Sequence, residues 1–176
     1  MSGDRLTEIL DATYECLTRY GIRRTTMDDI ATTVGVSRSA VYQYVRNKDD
    51  AVRRLVERLH RRALDRAAEV AAAERDPAEQ VRGILTVKLD LVLDLAGDSA
   101  HTAELLDAKA RLYGDVCADF TTRLHRLLTD VLRDAGPAGL PPADAADIAI
   151  ALVIGLEAHP DPARLLGPAT DALLAG

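Results

Sequence analysis

Polar and basic side chains are concentrated between Ser37 and Lys48, and no acidic residue occurs from position 38 to position 46. An arginine can bind guanine through two hydrogen bonds, a glutamine can bind adenine in the same way, and a serine suits either base. Tyrosine hydroxyls and lysine suit phosphate oxygens. If the segment is helical, one face carries the polar residues Arg38, Ser39, Tyr42, Gln43 and Arg46, with Tyr44 near its boundary. This chemistry favours a surface that contacts duplex DNA. The alternative is a solvated helix face, which would normally carry Glu and Lys.

The residues before this segment predict the two short helices that would position it. Thr26 is a good N-cap, and Asp29 completes a capping-box pattern, so a helix is expected to begin there. Gly35 can adopt the left-handed conformation that ends a helix, and Ser37 can cap the next one. The apolar residues fall on inner faces at helical spacing: Ile30, Ala31, Val34, Ala40, Val41 and Val45. The pattern predicts a helix-turn-helix.

The segment ILDATYECLTRYGIRRTTMDDIATTVGVSRSAVYQYVRNKDDAV resembles the N-terminal DNA-binding region of the tetracycline-repressor (TetR) family of bacterial transcriptional regulators. The most specific residues of the resemblance are Ile30-Ala31, Gly35-Val36-Ser37, Val41-Tyr42 and Lys48. Leu17, Val45 and Ala51 depart from the commonest pattern, each being a smaller apolar residue of a kind that repacks together. The resemblance implies an all-α fold, in which an N-terminal three-helix DNA-binding module precedes a helical ligand-binding and dimerisation domain.

The candidate DNA-binding residues are Thr26, Ser37, Arg38, Ser39, Tyr42, Gln43, Tyr44, Arg46 and Lys48. Arg38, Ser39, Gln43 and Tyr44 are the expected base readers. Thr26, Tyr42, Arg46 and Lys48 are expected to hold phosphates. Arg23 and Arg24, just before the Thr26 cap, could approach a phosphate or could simply be solvated.

Charge is distributed unevenly along the 176 residues, whose net charge is −6. Residues 1–66 hold 13 Lys and Arg against 10 Asp and Glu, a balance of +3, whereas residues 67–176 hold 9 against 18, a balance of −9. This asymmetry predicts a basic part that meets DNA and an acidic part that does not.

Cys16 and Cys117 lie far apart on apolar faces, which favours buried thiols in a reducing cytoplasm over a disulfide. Because no apolar run is long enough for a signal peptide or a membrane span, we expect a soluble cytoplasmic protein.

Helical periodicity predicts the remaining elements. The first helix covers about residues 5–20, with an apolar face that includes Tyr20, and ends at Gly21. Asn47 and Asp50 cap a long helix that continues to about residue 73. We expect the arginines on its outer side to be mostly solvated: Arg53, Arg54, Arg58, Arg61 and Arg62. We therefore expect a DNA-binding domain at 1–47 and an effector-binding and dimerisation domain at 48–176, whose first part, 48–74, is a connecting helix. The resemblance implies that this helix links the ligand site to the DNA site.

A helix from Asp76-Pro77 is apolar nearly all round between Val81 and Leu95, which predicts burial on several sides. Thr86, Asp90 and Asp94 form its polar stripe, which is either solvated or directed at a cavity for a cationic or hydroxyl-bearing effector. A short helix is expected over about 100–112, then an amphipathic helix ended by Gly136-Pro137. The candidate effector-binding residues are Leu85, Leu89, Val92, Tyr113, Cys117 and Phe120. The alternative for the two aromatic residues is ordinary core packing.

The last two helices, from Asp144 to Ala158 and from Asp161-Pro162 onward, resemble one half of a four-helix dimer interface. Pro168 is expected to kink or split the final helix.

The sequence therefore predicts a homodimeric regulator, expected to be a repressor that a small-molecule effector releases from a palindromic operator. Neither catalytic residues, nor metal ligands, nor a cofactor are expected, because no Gly-rich phosphate loop, CxxC motif or paired histidines at metal spacing occur. The rival hypothesis is a helical small-molecule-binding or enzymatic protein that retains the helix-turn-helix only as structure.

Overall fold

The computed structural model describes residues 2–73, 76–96, 101, 112–135, 137 and 139–175. Within these ranges the regular structure is entirely helical: α1 Ser2–Arg24, α2 Met27–Val34, α3 Arg38–Val41, α4 Lys48–Ala73, α5 Pro77–Ala96, α6 Gly114–Ala135, α7 Pro142–Leu156 and α8 Pro162–Leu174. The all-α prediction is confirmed. The predicted helix over 100–112 lies outside the described residues, apart from His101 and Leu112.

Two compact units divide the chain. The first comprises Met1–Leu59 with Leu95–Cys117, and the second comprises His60–Asp94 with Ala118–Gly176. Helices α4, α5 and α6 contribute residues to both units.

The first unit has two apolar clusters. One joins α1, α2, α3 and the start of α4 through Ile9, Ala12, Cys16, Met27, Ile30, Ala31, Val41, Val45 and Ala51. The other joins α1 and α4 to the start of α6 through Leu10, Leu17, Ile22, Val52, Leu55, Val56, Leu112 and Tyr113. The three departures from the family pattern, Leu17, Val45 and Ala51, are all buried here. They therefore keep their place in the core despite their smaller size.

Helix α1 differs from its prediction at both ends. It begins at Ser2, and Gly21, with the non-helical angles φ 78° and ψ 165°, interrupts it where the sequence predicts an end; a second helical stretch then continues to Arg24. Because this φ is positive, glycine suits the position. Tyr20, expected on the apolar face, is 37% exposed.

The second unit buries the apolar faces of α5, α6 and α7. Ile84, Leu85, Leu124, Leu128 and Val153 are fully buried, as is the small residue Ala149. The predicted helix starts are confirmed where a carboxylate caps them: Asp76 accepts from the Ala78 amide at 3.2 Å, and Asp161 accepts from the Arg164 amide at 3.3 Å. Helix α8 continues through Pro168, so the expected split is not observed.

Not all of the charged residues of α4 are solvated as expected. The side chain of Arg58 is only 12% exposed and donates to the Thr7 carbonyl at 3.1 Å and to Asp11 at 2.6 Å. Arg53 donates from two nitrogens to the two carboxylate oxygens of Asp115, at 2.7 and 2.6 Å, and also to the Leu112 carbonyl. Arg61 and Arg62 are exposed. The prediction was wrong for Arg58, because this side chain binds Thr7 and Asp11 of α1.

Candidate nucleic-acid interface

The capping box at Thr26 fixes the start of α2. The Thr26 hydroxyl accepts from the Asp29 amide at 3.2 Å, and the Asp29 carboxylate accepts from the Thr26 amide at 2.8 Å. The Thr26 hydroxyl also donates to the Asp29 carboxylate at 2.7 Å, and this bond, together with the one from the Thr26 amide, lowers the pKa of Asp29. The predicted cap is therefore confirmed in both of its reciprocal bonds.

The corner between α2 and α3 forms at Gly35, which adopts φ 78° and ψ 33°. Its amide donates to the carbonyls of Ala31 and Thr32, and the Val36 amide donates to the Ala31 carbonyl. Val34 and Val36 are half-buried against the core that includes Ala31. A left-handed glycine with these bonds is the expected helix ending.

Helix α3 is shorter than predicted. The Ser37 hydroxyl accepts from the Ala40 amide at 3.2 Å, which confirms the cap, but the α-helix ends at Val41. Backbone hydrogen bonds hold the turn that follows. The Gln43 amide donates to the Ala40 carbonyl, and the amides of Tyr44 and Val45 both donate to the Val41 carbonyl. The inner side chains Val41 and Val45 are both buried. The opposite face therefore continues past the end of the α-helix as far as Arg46.

This opposite face is exposed as predicted. Arg38, Ser39, Tyr42, Gln43 and Arg46 are all exposed, together with Ser37 and Thr26. Tyr44 is half-buried and packs against the first apolar cluster, which matches its expected boundary position. The structure thus brings eight of the nine candidate DNA-binding side chains onto the α2 start, α3 and the turn after it.

Lys48 is the ninth candidate and has a structural bond as well. Its Nζ donates to the Ile22 carbonyl at 2.7 Å and lies 3.5 Å from the Arg23 carbonyl. An ammonium group has three donors, so one remains for a phosphate when both carbonyls are bound. Arg23 and Arg24 are exposed beside this junction.

Asp28 is a residue of this surface that the sequence reasoning missed. Its carboxylate lies 3.2 Å from Arg38 Nη1, and Arg38 Nη2 donates to the Tyr42 hydroxyl at 3.1 Å. The Arg38 guanidinium also lies 5.5 Å from the centroid of the Tyr42 ring. The Tyr42 hydrogen bond and the Asp28 charge raise the pKa of Arg38. Arg38 lies ten positions after Asp28, so no local pattern indicates the pair.

Residues 9–55 match the family described as bacterial regulatory proteins, tetR family. The match spans the two helices, the Gly35 corner and the start of α4 described above. The N-terminal part of the chain therefore resembles the DNA-binding part of TetR-family regulators.

Curated and solved relatives agree with this assignment. The probable HTH-type transcriptional regulator ArpR of Pseudomonas putida is 34% identical over 113 residues, which cover 62% of this chain and 52% of that protein. The chain thus spans about half the length of this curated relative. A putative transcriptional regulator from Pseudomonas aeruginosa PAO1 has the same fold at a TM-score of 0.78, with 20% identity over 100% of this chain and 91% of that one. FadR from Bacillus subtilis, solved in complex with stearoyl-CoA, aligns at a TM-score of 0.71, with 17% identity over 97% of this chain and 98% of that one.

The six candidate effector-binding residues are divided between the two units. Leu85, Leu89 and Phe120 are buried in the second unit and Val92 is half-buried there, whereas Tyr113 and Cys117 pack in the second apolar cluster of the first unit. The Phe120 ring meets the buried His60 ring edge-on, with centroids 4.8 Å apart. Burial raises the pKa of Tyr113 to about 12. Both aromatic side chains are thus packed in cores, as the alternative interpretation expected.

The polar stripe of α5 is largely solvated. Thr86 and Asp94 are exposed, and Asp90 lies 3.6 Å from Arg66. A lysine on the same helix was missed: Lys88 is buried, and its Nζ donates to Glu157 at 2.5 Å. Glu157 is 69 positions away, so the sequence pattern could not indicate the pairing. Cys16 is buried and Cys117 half-buried, and the two do not form a disulfide. No helix among the described residues has both the length and the apolar character needed to cross a bilayer.

Proposed function

We propose that this protein is a DNA-binding transcriptional regulator that represses its target and is released from DNA by a small-molecule effector. The observation that carries the proposal is the exposed polar face of α3 and its following turn, held by a capped helix-turn-helix. That face presents side chains suited to base edges together with side chains suited to phosphates, and an apolar cluster lies on its other side.

In this proposal, Arg38, Ser39, Gln43 and the exposed part of Tyr44 read base edges in the major groove. Thr26, Tyr42, Arg46 and Lys48 contact the flanking phosphates, with Ser37 holding the helix start. Arg38 Nε and one proton on each of its terminal nitrogens remain available beside its bonds to Asp28 and Tyr42, which leaves enough donors for guanine. Gln43 is exposed and can form the paired contact to adenine.

The exposed apolar residues of α7 support a homodimer through the last two helices. Ile148 is 44% exposed and Ile154 is 53% exposed in the single chain. Ala151 and Gly155 lie between and beside them and are exposed too. Contiguous apolar surface of this kind marks an interaction site. A two-fold dimer would place two copies of α3 on two half-sites of a palindromic operator.

The effector would be a small apolar molecule that binds among the helices of the second unit. Leu85, Leu89, Val92 and Phe120 supply apolar side chains there, whereas Tyr113 and Cys117 belong to the first unit and are not included in this proposed site. FadR from Bacillus subtilis was solved in complex with stearoyl-CoA, whose acyl chain is apolar, which supports an apolar binding region in a similar fold. Release requires that the effector binds better to the conformation that does not fit DNA. The domain division at 1–47 and 48–176, with 48–74 as connecting helix, remains part of this proposal.

Salt dependence of DNA binding tests the proposal against the ligand-binding or enzymatic alternative. The affinity of the purified protein for a labelled random duplex would be measured by fluorescence anisotropy at roughly 50 to 300 mM salt. This range includes about 50–200 mM, where the release of counterions makes the affinity of a DNA-binding protein fall steeply. Binding that weakens steeply with salt supports the regulator. The matched variant Arg38→Ala/Arg46→Ala should bind more weakly with a shallower slope, whereas Arg61→Ala/Arg62→Ala, which removes two exposed arginines from the second unit, should not. The proposal would be overturned if the effector-stripped protein did not bind the duplex at 50 mM salt, or if its binding did not weaken as the salt concentration rose.

A further inference from the structure

We infer that Asp28 is a positioning residue for base recognition, which holds the Arg38 guanidinium, together with Tyr42, in the orientation that reads one base pair. This inference rests on the proposed function. It adds a residue of α2 to a recognition surface otherwise built from α3 and its following turn.

The position of Asp28 needs an explanation, because a carboxylate on a DNA-facing surface repels phosphates. Its side chain is 66% exposed, and it lies in the first turn of α2. The helix start does not depend on it, since the neighbouring Asp29 already forms both bonds of the capping box with Thr26. The partner that the structure gives to Asp28 is Arg38, at 3.2 Å.

Three contacts converge on the Arg38 guanidinium. Asp28 accepts from Nη1, the Tyr42 hydroxyl accepts from Nη2, and the Tyr42 ring lies 5.5 Å from the guanidinium carbon. The side chain of Arg38 is nevertheless 56% exposed, so the guanidinium remains accessible to DNA. An exposed ion pair adds little to stability. Its effect here is to restrict a long, flexible side chain, so that less conformational entropy is lost when Arg38 binds a base.

The arrangement also links base reading to phosphate binding. A tyrosine hydroxyl that accepts from Arg38 still has its own proton to donate. Tyr42 can therefore bind a phosphate and hold Arg38 at the same time, while Asp28 fixes the opposite side of the guanidinium. Asp28 and Tyr42 together define the plane in which the remaining Arg38 donors point.

The test compares Asp28→Asn with Glu15→Gln on a selected operator and on single-base variants of it. Glu15 is the matched control, since it is an exposed carboxylate of the same unit that pairs with an arginine, Arg19, at 2.8 Å, away from α3. Both variants lose one negative charge, so both should bind random DNA at least as well as the parent. A bidentate contact provides a preference of roughly 5- to 150-fold for the correct base pair over a wrong one. We expect Asp28→Asn, but not Glu15→Gln, to reduce this preference by about fivefold or more at the base pair that Arg38 contacts.

A double-mutant cycle separates positioning from a general structural effect. In an Arg38→Ala background, Asp28→Asn should no longer change the preference at that base pair, and it should leave preferences at other positions intact in either background. Tyr42→Phe, which keeps the ring and removes the hydroxyl, should lower the same preference. Thermal unfolding by circular dichroism identifies any variant that fails to fold.

Two further outcomes overturn the inference. It is wrong if Asp28→Asn keeps the parent preference, or if its effect persists unchanged without Arg38. A parent protein that binds no DNA would instead refute the proposed function, so the two failures are distinguishable.

Discussion

The Nζ atom of Lys48 lies 2.7 Å from the carbonyl oxygen of Ile22, so the first residue of α4 is bonded to the last turn of α1. Carbonyls at a helix C-terminus lack partners within the helix, and a cation placed there satisfies one of them and opposes the helix dipole. Lys48 therefore connects the helix that leaves the DNA-binding module to the helix that supports it.

Replacing Lys48 should consequently affect two properties. Lys48→Ala is expected to weaken binding to all DNA sequences alike and to lower the free energy of unfolding by about 1 kcal/mol, because a charge-assisted hydrogen bond is lost at a half-buried site. Urea unfolding and binding to matched and mismatched duplexes measure the two effects. Unchanged stability would show that the Ile22 bond contributes nothing, and Arg24→Ala, an exposed neighbour, is the control for charge alone.

Arg38 should govern preference at a single base pair. Arg38→Ala is expected to lower discrimination there by roughly 1–3 kcal/mol and to leave discrimination at other base pairs unchanged. Competition binding with single-substitution duplexes measures this. Retention of the full operator preference would show that Arg38 does not read a base.

The Gly35 corner should not accept a side chain without strain. Although an added Cβ would meet no atom within 4 Å, φ is +78°. Gly35→Ala should therefore destabilise the protein by about 1–2 kcal/mol through backbone conformation and not through a clash. Gly155→Ala is the contrasting change, since Gly155 is helical and has open space around it in the single chain. A stability loss in thermal unfolding at Gly35 that is no larger than at Gly155 would contradict the argument.

Local signals of this kind explain what the sequence could predict. The Thr26–Asp29 capping box, the Gly35 corner and the Ser37 cap involve residues at most five apart, so their chemistry is visible in a short window. The inward and outward faces of α3 follow from helical spacing, although the early end of the α-helix at Val41 does not. Arg53 and Asp115, or Lys88 and Glu157, are 62 and 69 positions apart, and only tertiary folding brings them together. The helical stretch that continues from Gly21 to Arg24 and the passage of α8 through Pro168 were not predicted either, because glycine and proline locally favour helix ends.

The Arg53–Asp115 pair should make stability depend on pH. The hydrogen bond from Arg53 lowers the pKa of Asp115 to about 2, from an ordinary value of 3.8. Because the folded-state pKa is depressed, the stabilisation is fully present above about pH 3.8 and is lost as the pH falls towards 2. The melting temperature of Asp115→Asn should thus lie below that of the parent at pH 6, and the difference should shrink between pH 4 and about 2. A difference that is constant over that interval would contradict the ionic origin of the stabilisation.

The exposed face of α7 should mediate self-association. Ile154→Asp places a charge in the middle of the proposed interface and is expected to convert a dimer into a folded monomer. Sedimentation velocity measures the oligomeric state, and circular dichroism reports the helix content. The control is Ala68→Asp, which adds the same charge at an exposed position of α4. The proposed interface would be excluded if the Ile154 variant stayed dimeric.

Selection of random duplex DNA on the purified, effector-stripped protein tests the central claim most directly. Sequencing of the retained duplexes should give a palindromic motif, with one base pair in each half-site whose preference disappears when the selection is repeated with Arg38→Ala. No enriched motif, from protein unfolded, freed of bound ligand and refolded, would contradict the account of α3 as a reader of DNA sequence.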